Sequence, residues 1–201
     1  MRATLDKLLS WFGMLLVAVL LVAGGLLTWA SVFIGNQVTD QLGAQHVTMP
    51  TSQTGLSDLP PADQAALQKY AGQKLTTGAQ AEAYANHYIA VHLQGIGGGK
   101  TYSEISGQYI QQCASDPKAA ATKACTDLGQ TRQSMFMGET LRGLLLYGYA
   151  FAKMGTIAGI AAIGSFVAAG LMLVLSVFGF WHSRKAAQDV TAEGQPVGAH
   201  V

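Results

Sequence analysis

Four small sets of residues have types and spacings that could do chemistry. Cys113 and Cys125 are the only cysteines in the chain. A pair at this spacing closes a short loop as a disulfide if its segment lies in an oxidising compartment, and the chain-entropy argument puts the stabilisation at about 3 kcal/mol. Geometry limits what can lie between them. A straight helix starting at Pro117 would carry Cys125 about 12 Å along its axis, with Cys113 only about 4.5 Å from the turn. Bonded cysteines rarely have Cα atoms more than about 7 Å apart. Bonding therefore predicts that residues 114–124 do not form an ideal helical hairpin. There is no C-x-x-C spacing, so a redox-active pair is not expected.

Glu82, His87 and His92 are the nearest approach to a metal-ligand set. Steps of five residues place successive side chains about 140° apart around a helix, so they do not converge as histidines at i and i+4 do. A remote residue such as His46 could complete a set, but surface or packing histidines are the simpler expectation. Gly95-Ile-Gly-Gly-Gly-Lys-Thr101 has the flavour of a phosphate loop. That motif needs an earlier glycine where Gln94 stands, and a preceding strand. A helix stop, a turn and a helix cap account for the same residues. Glu139 and Arg142 are three apart, which allows a helical ion pair worth about 0.2–0.5 kcal/mol if exposed. Lys153 follows on the same segment, where its stem can lie in an apolar zone and its amine among lipid headgroups. A charge-lined substrate path through these three residues is the sharper alternative. No serine or cysteine has the setting of an activated nucleophile, and the acids are scattered. No enzymatic activity, cofactor or metal is expected.

What must position these residues is dominated by two apolar runs. Half of the residues are hydrophobic and only 11% are charged, against about 25% charged in an ordinary soluble domain. Leu8–Ile34 carries no charge, and Gly143–Trp181 carries only Lys153. A bilayer core of about 30 Å takes roughly 20 helical residues, so each run is long enough to span. The membrane parts are predicted at 8–34 and 154–181. A cleaved signal peptide is the alternative for the first run, with Thr28-Trp29-Ala30 as its cleavage site. Signal cores run about 7–15 residues, so a retained anchor is the expectation. Arg2 and Lys7 precede the first run, and His182, Arg184 and Lys185 follow the second. The positive-inside rule then puts residues 1–7 and 182–201 in the cytoplasm and residues 35–153 outside the plasma membrane. Residues 186–201 have the composition of a disordered tail. Gly155 and Gly159 form a G-x-x-x-G, with Ala158/Ala162 and Ser165/Ala169 at the same spacing, and small residues let membrane helices approach closely. Their expected role is to pack the two spans together, with homo-oligomerisation second.

The segment between the runs reads as a small all-α domain. Between residues 35 and 142 there are seven basic and eight acidic side chains, so no polybasic face for nucleic acid is present. Residues 35–61 read as an outer stalk and linker. Ile34, Val38 and Leu42 continue the first helix outward, then Met49-Pro50 through Leu59-Pro60-Pro61 suits an exposed connection. Residues 62–153 hold the domain and a juxtamembrane helix. Asp58 or Pro61 opens one helix, with Leu67 and Tyr70 on its apolar side. Thr76 or Thr77 caps a second, with Ala81, Tyr84, Tyr88 and Val91 as its stripe. Thr101-Tyr-Ser-Glu104 has capping-box spacing and starts a third, with Tyr102, Ile105, Tyr109 and Cys113 on one face. Asp116-Pro117 marks a stop and restart. From about Asp127 or Gln130 one helix is predicted to continue into the second run.

The blocks Tyr84–Leu93 (Tyr-Ala-Asn-His-Tyr-Ile-Ala-Val-His-Leu), Gly99–Glu104 and Phe136–Leu145 resemble a family of actinobacterial two-pass membrane proteins of unknown function. The resemblance covers most of the chain and implies the two-span topology, but supplies no site residues. Some of its members are labelled automatically as aromatic ring-opening dioxygenases. Such an oxygenase needs a converging two-histidine, one-carboxylate face, which this sequence lacks. The expectation is a non-enzymatic envelope protein that contacts the lipid bilayer and another membrane or envelope protein, or a second copy of itself. A transport or channel subunit is the second reading, and a membrane-bound metalloenzyme using His87 and His92 the third.

Overall fold

The computed structural model describes the backbone of residues 2–193 and the side chains of residue 5 and residues 7–185. Among the described residues the chain is all-helical, without a strand. The elements are α1 (Arg2–Gly43), α2 (Pro61–Gln68), α3 (Gly78–Tyr84), α4 (Ala90–Ile96), α5 (Tyr102–Tyr109), α6 (Pro117–Ala120) and α7 (Lys123–Glu193). One π turn, Ala85–Ile89, joins α3 to α4, and another, Ile110–Ala114, extends α5. Helices α1 and α7 each hold a stretch long and apolar enough to cross a membrane. The chain divides into two compact units: Met1–Phe33 with Gly155–Val201, and Ile34–Met154.

In the first unit, α1 and α7 run antiparallel, and small residues form the seam. Ser10, Gly13, Val17 and Gly24 are buried on α1. Gly155, Ala162, Ala169, Ser176 and Ser183 are buried on α7, at a strict seven-residue period. That period keeps one face of a helix turned to its partner in a left-handed pair. The contacts are close. A Cβ on Gly13 would run into the Ser176 hydroxyl, and one on Gly179 into that of Ser10. The Ser31 hydroxyl donates to the Gly155 carbonyl at 2.8 Å, and a Cβ on Gly159 would come 2.9 Å from Ser31 Oγ. Large side chains point the other way: Leu8, Trp11, Leu15, Phe178 and Trp181 are all exposed. A water-soluble fold buries its large apolar residues. Small inside and large outside is the pattern of helices whose surroundings are as apolar as leucine.

The second unit has the ordinary order, with large residues inside. Its core joins Val38 and Leu42 of α1, Leu67 of α2, Leu75, Ala81, Ile89, Leu93, and Met135 and Leu145 of α7. The segment read as an exposed linker is part of this core. Met49, Leu56 and Leu59 are buried, and the chain around Met49 pairs with residues 72–75. Met49 N–H donates to Gln73 O at 2.9 Å and Leu75 N–H to Val47 O at 2.9 Å. Gly72, at φ +71°, makes the turn that brings this short pairing about. The linker expectation is therefore corrected. Isolated apolar residues among Ser, Thr, Gly and Pro carry no periodic signal, yet three of them fill the core.

The caps follow the sequence. Thr77 and Gln80 form a full capping box for α3, and Thr101 and Glu104 another for α5. Buried Gln80 accepts from the N–H groups of Thr76 and Thr77 and donates to Gln73. Helix α7 begins at Lys123, earlier than expected, because the 116–122 turn is brief: α6 lasts four residues. Its backbone stays helical to Glu193, past the expected start of the tail, and residues 194–201 lie outside the described residues.

Candidate functional site

The π turn at Ala85–Ile89 organises the polar residues of the second unit. A π turn adds a residue to the helical ladder, and such insertions recur at functional sites. Here three consecutive side chains reach three different partners. Asn86 Nδ2 donates to Glu82 at 3.1 Å, while Asn86 Oδ1 accepts from Arg142 Nη2 at 3.3 Å. His87 Nδ1 lies 2.8 Å from Asp63 Oδ1 on α2. Tyr88 turns to a cleft under the 48–54 segment.

Arg142 sits between α7 and this turn. Its Nη1 donates to Glu139 at 3.4 Å, so the pairing read from their spacing is present, but the link to Asn86 was not legible. Nε of Arg142 is buried and has no hydrogen-bond partner. Lys153 does not join this group. It lies eleven residues further along the same helix, about 16 Å of rise, with its amine 5.5 Å from the Tyr149 ring. The structure thus brings Glu139 and Arg142 together and leaves Lys153 apart.

On the other side of the same stretch of α7, Met137, Leu141, Leu144, Tyr147 and Phe151 are exposed. Met135 and Leu145 of that stretch are buried, and Gly138 and Gly148 press on Leu93 and Leu42. One face of the helix serves the core, and the other presents a row of large apolar side chains.

The cleft, of about 270 Å³, is lined by Thr48, Met49, Pro50, Thr51, Thr54, Tyr84 and Tyr88. The Tyr84 and Tyr88 rings stack at 4.9 Å, and Tyr88 lies 4.3 Å from the His92 ring. Burial, and then the neighbouring Tyr88, raises the Tyr84 phenol above its ordinary range. The threonines were invisible as a set in the sequence because only the Met49–Gln73 pairing folds them against Tyr84 and Tyr88.

The remaining expectations fall as follows. Among the described residues no three of His, Cys, Asp and Glu gather as a metal set. Glu82 and His87 are engaged with Asn86 and Asp63, and His92 Nδ1 lies 2.8 Å from the Tyr88 carbonyl oxygen. The Gly97–Thr101 stretch is a helix end, two glycines at positive φ and the Thr101 cap. Cys113 and Cys125 form a disulfide with Cα atoms 5.6 Å apart. The π turn and the brief α6 break the hairpin between them, as the distance argument required.

Fold and site together define an all-helical protein with two helices long enough to cross a membrane and a second unit with its own core. Comparison with known proteins adds no relative: no family model, curated protein or solved structure matches the chain.

Proposed function

We propose that this is a two-span plasma-membrane protein that holds a second membrane protein against the outer part of α7. The reading places both termini in the cytoplasm and residues 35–153 outside. Arg2 and Lys7 before the first run, and Arg184 and Lys185 after the second, support that orientation. The protein then acts as an accessory or interaction subunit rather than as a catalyst.

The observation that carries the reading is the row Met137, Leu141, Leu144, Tyr147 and Phe151, exposed on a helix whose opposite face is packed. A contiguous apolar surface of this kind marks an interaction site. Glu139, Thr140 and Arg142 stand within the same stretch. Of these only Thr140 is exposed beside the row, while Glu139 and Arg142 face the packed side at the same level of the helix. Charged groups are costly in hydrocarbon, so this level of α7 suits contact with protein better than with lipid tails. A photo-crosslinking residue in place of Leu144, activated in native membranes, tests it. The expected product is an adduct with a different membrane protein. Adducts with lipid alone overturn the reading, and adducts with a second copy alone replace it with an oligomeric transport or channel subunit.

A further inference from the structure

The cleft beside the π turn has a chemistry that the α7 face does not use. Its seven lining residues carry no charge, so an ion entering it would give up hydration with no counter-charge among them; the Asp58 carboxylate stands outside this set, beside Gly55. Its volume of about 270 Å³ falls just under the range of sites for drug-sized ligands, which leaves room for one ring. Met49 and Pro50 are buried and back the cleft.

The rim is made of hydroxyls. The Thr51 and Thr54 hydroxyl oxygens are 3.0 Å apart, and Thr51 N–H donates to Thr54 Oγ1 at 2.7 Å, which fixes the pair in place. Tyr88 packs against both the Tyr84 and the His92 rings. Its hydroxyl lies beside Gly55, where φ is +96° and a Cβ would stand 3.6 Å from it. Glycine there makes the loop conformation cheap and keeps the phenol clear. Among the described residues, neither phenol hydroxyl of the cleft nor the Thr48 hydroxyl is spent on a hydrogen bond within the protein.

We propose that this cleft binds one neutral, hydroxyl-bearing ring, with the size and chemistry of a single sugar residue. The threonine and tyrosine hydroxyls both donate and accept, as sugar hydroxyls require, while the partly exposed Tyr84 and Tyr88 rings meet the C–H side of the sugar ring. The source is either a free sugar or one unit of a glycan.

The test uses the full chain in lipid nanodiscs and ligand-observed NMR. The probes are glucose and N-acetylglucosamine, their methyl glycosides, and the charged counterparts glucosamine and glucuronate. Saturable binding of the neutral sugars in the millimolar range is expected, with the charged counterparts weaker. If the glycosides bind as well, the source is a glycan unit; if only the free sugars bind, it is a free sugar. Tyr88→Phe keeps the ring stack and removes one hydroxyl, and should weaken binding roughly 3- to 10-fold. Thr48→Val, an exposed position, should do so more mildly. No saturable binding of any neutral sugar, tighter binding of a charged one, or binding unchanged in both variants would overturn the proposal.

Discussion

The two units of this chain solve the packing problem in opposite ways. In the paired α1 and α7 helices, glycine, alanine and serine meet at the seam, and leucine, phenylalanine and tryptophan face outward. In the 34–154 unit, Met49, Leu56, Leu67 and Leu75 are almost completely inaccessible, and many polar groups are tied into caps and side-chain hydrogen bonds. The same residue types change places as they would if the first unit lay in hydrocarbon and the second in water. In water, burying a large apolar side chain is worth about 1.5–3 kcal/mol. In hydrocarbon that gain vanishes, and close backbone contact and hydrogen bonds such as Ser31 to Gly155 remain.

The sharpest way to break this comparison is to make one substitution in both units. Leu67, wholly buried, should cost about 2–5 kcal/mol when changed to alanine, read from thermal unfolding in nanodiscs. Leu171, which is exposed on α7, should change stability by no more than about 0.5 kcal/mol when so altered. Equal losses would mean that the apolar helices are also folded by water. Next in size is the disulfide. Cys113→Ser with Cys125→Ser should destabilise the 34–154 unit by about 3 kcal/mol and leave the pairing of α1 with α7 intact. Gly13→Val, which would collide with Ser176, should cost about 1–3 kcal/mol, whereas Gly25→Val, facing open space, should cost little.

The smallest effect concerns pH. Glu104 accepts from the Thr101 backbone N–H and hydroxyl, and these bonds lower its carboxyl below the usual range. A carboxyl lowered in the folded state stabilises fully above its unfolded pKa, and that contribution is lost as pH falls through the folded value. Acid titration of stability should therefore contain a component that Glu104→Gln removes.

Much of this was readable from residue order, and the reasons differ by region. The two apolar runs are legible because the absence of charge over a helical length is itself the physical requirement. The Thr101 cap is legible because a capping box is a local, four-residue pattern, and the cap of α3 was legible as Thr76 or Thr77. The disulfide could be read together with the interrupted hairpin it demanded. Met49, Leu56 and Leu59 were not, because their burial depends on a turn at Gly72 and a core supplied by distant helices. The π turn left no signal either, and with it the reach of Asn86 to Arg142 and of His87 to Asp63 was hidden. The seven-residue period of Gly155, Ala162, Ala169 and Ser176 was present but lay beneath the more familiar G-x-x-x-G at Gly155 and Gly159.

The central proposal is that the first unit lies in a membrane and the second outside the cell. Both native cysteines are bonded to each other, so an introduced cysteine reports alone. With a membrane-impermeant maleimide on intact cells, Gln53→Cys, at an exposed position, should label, and Ala199→Cys should label only after lysis. Labelling of Ala199→Cys in intact cells, or protection of Gln53→Cys until lysis, would contradict the account.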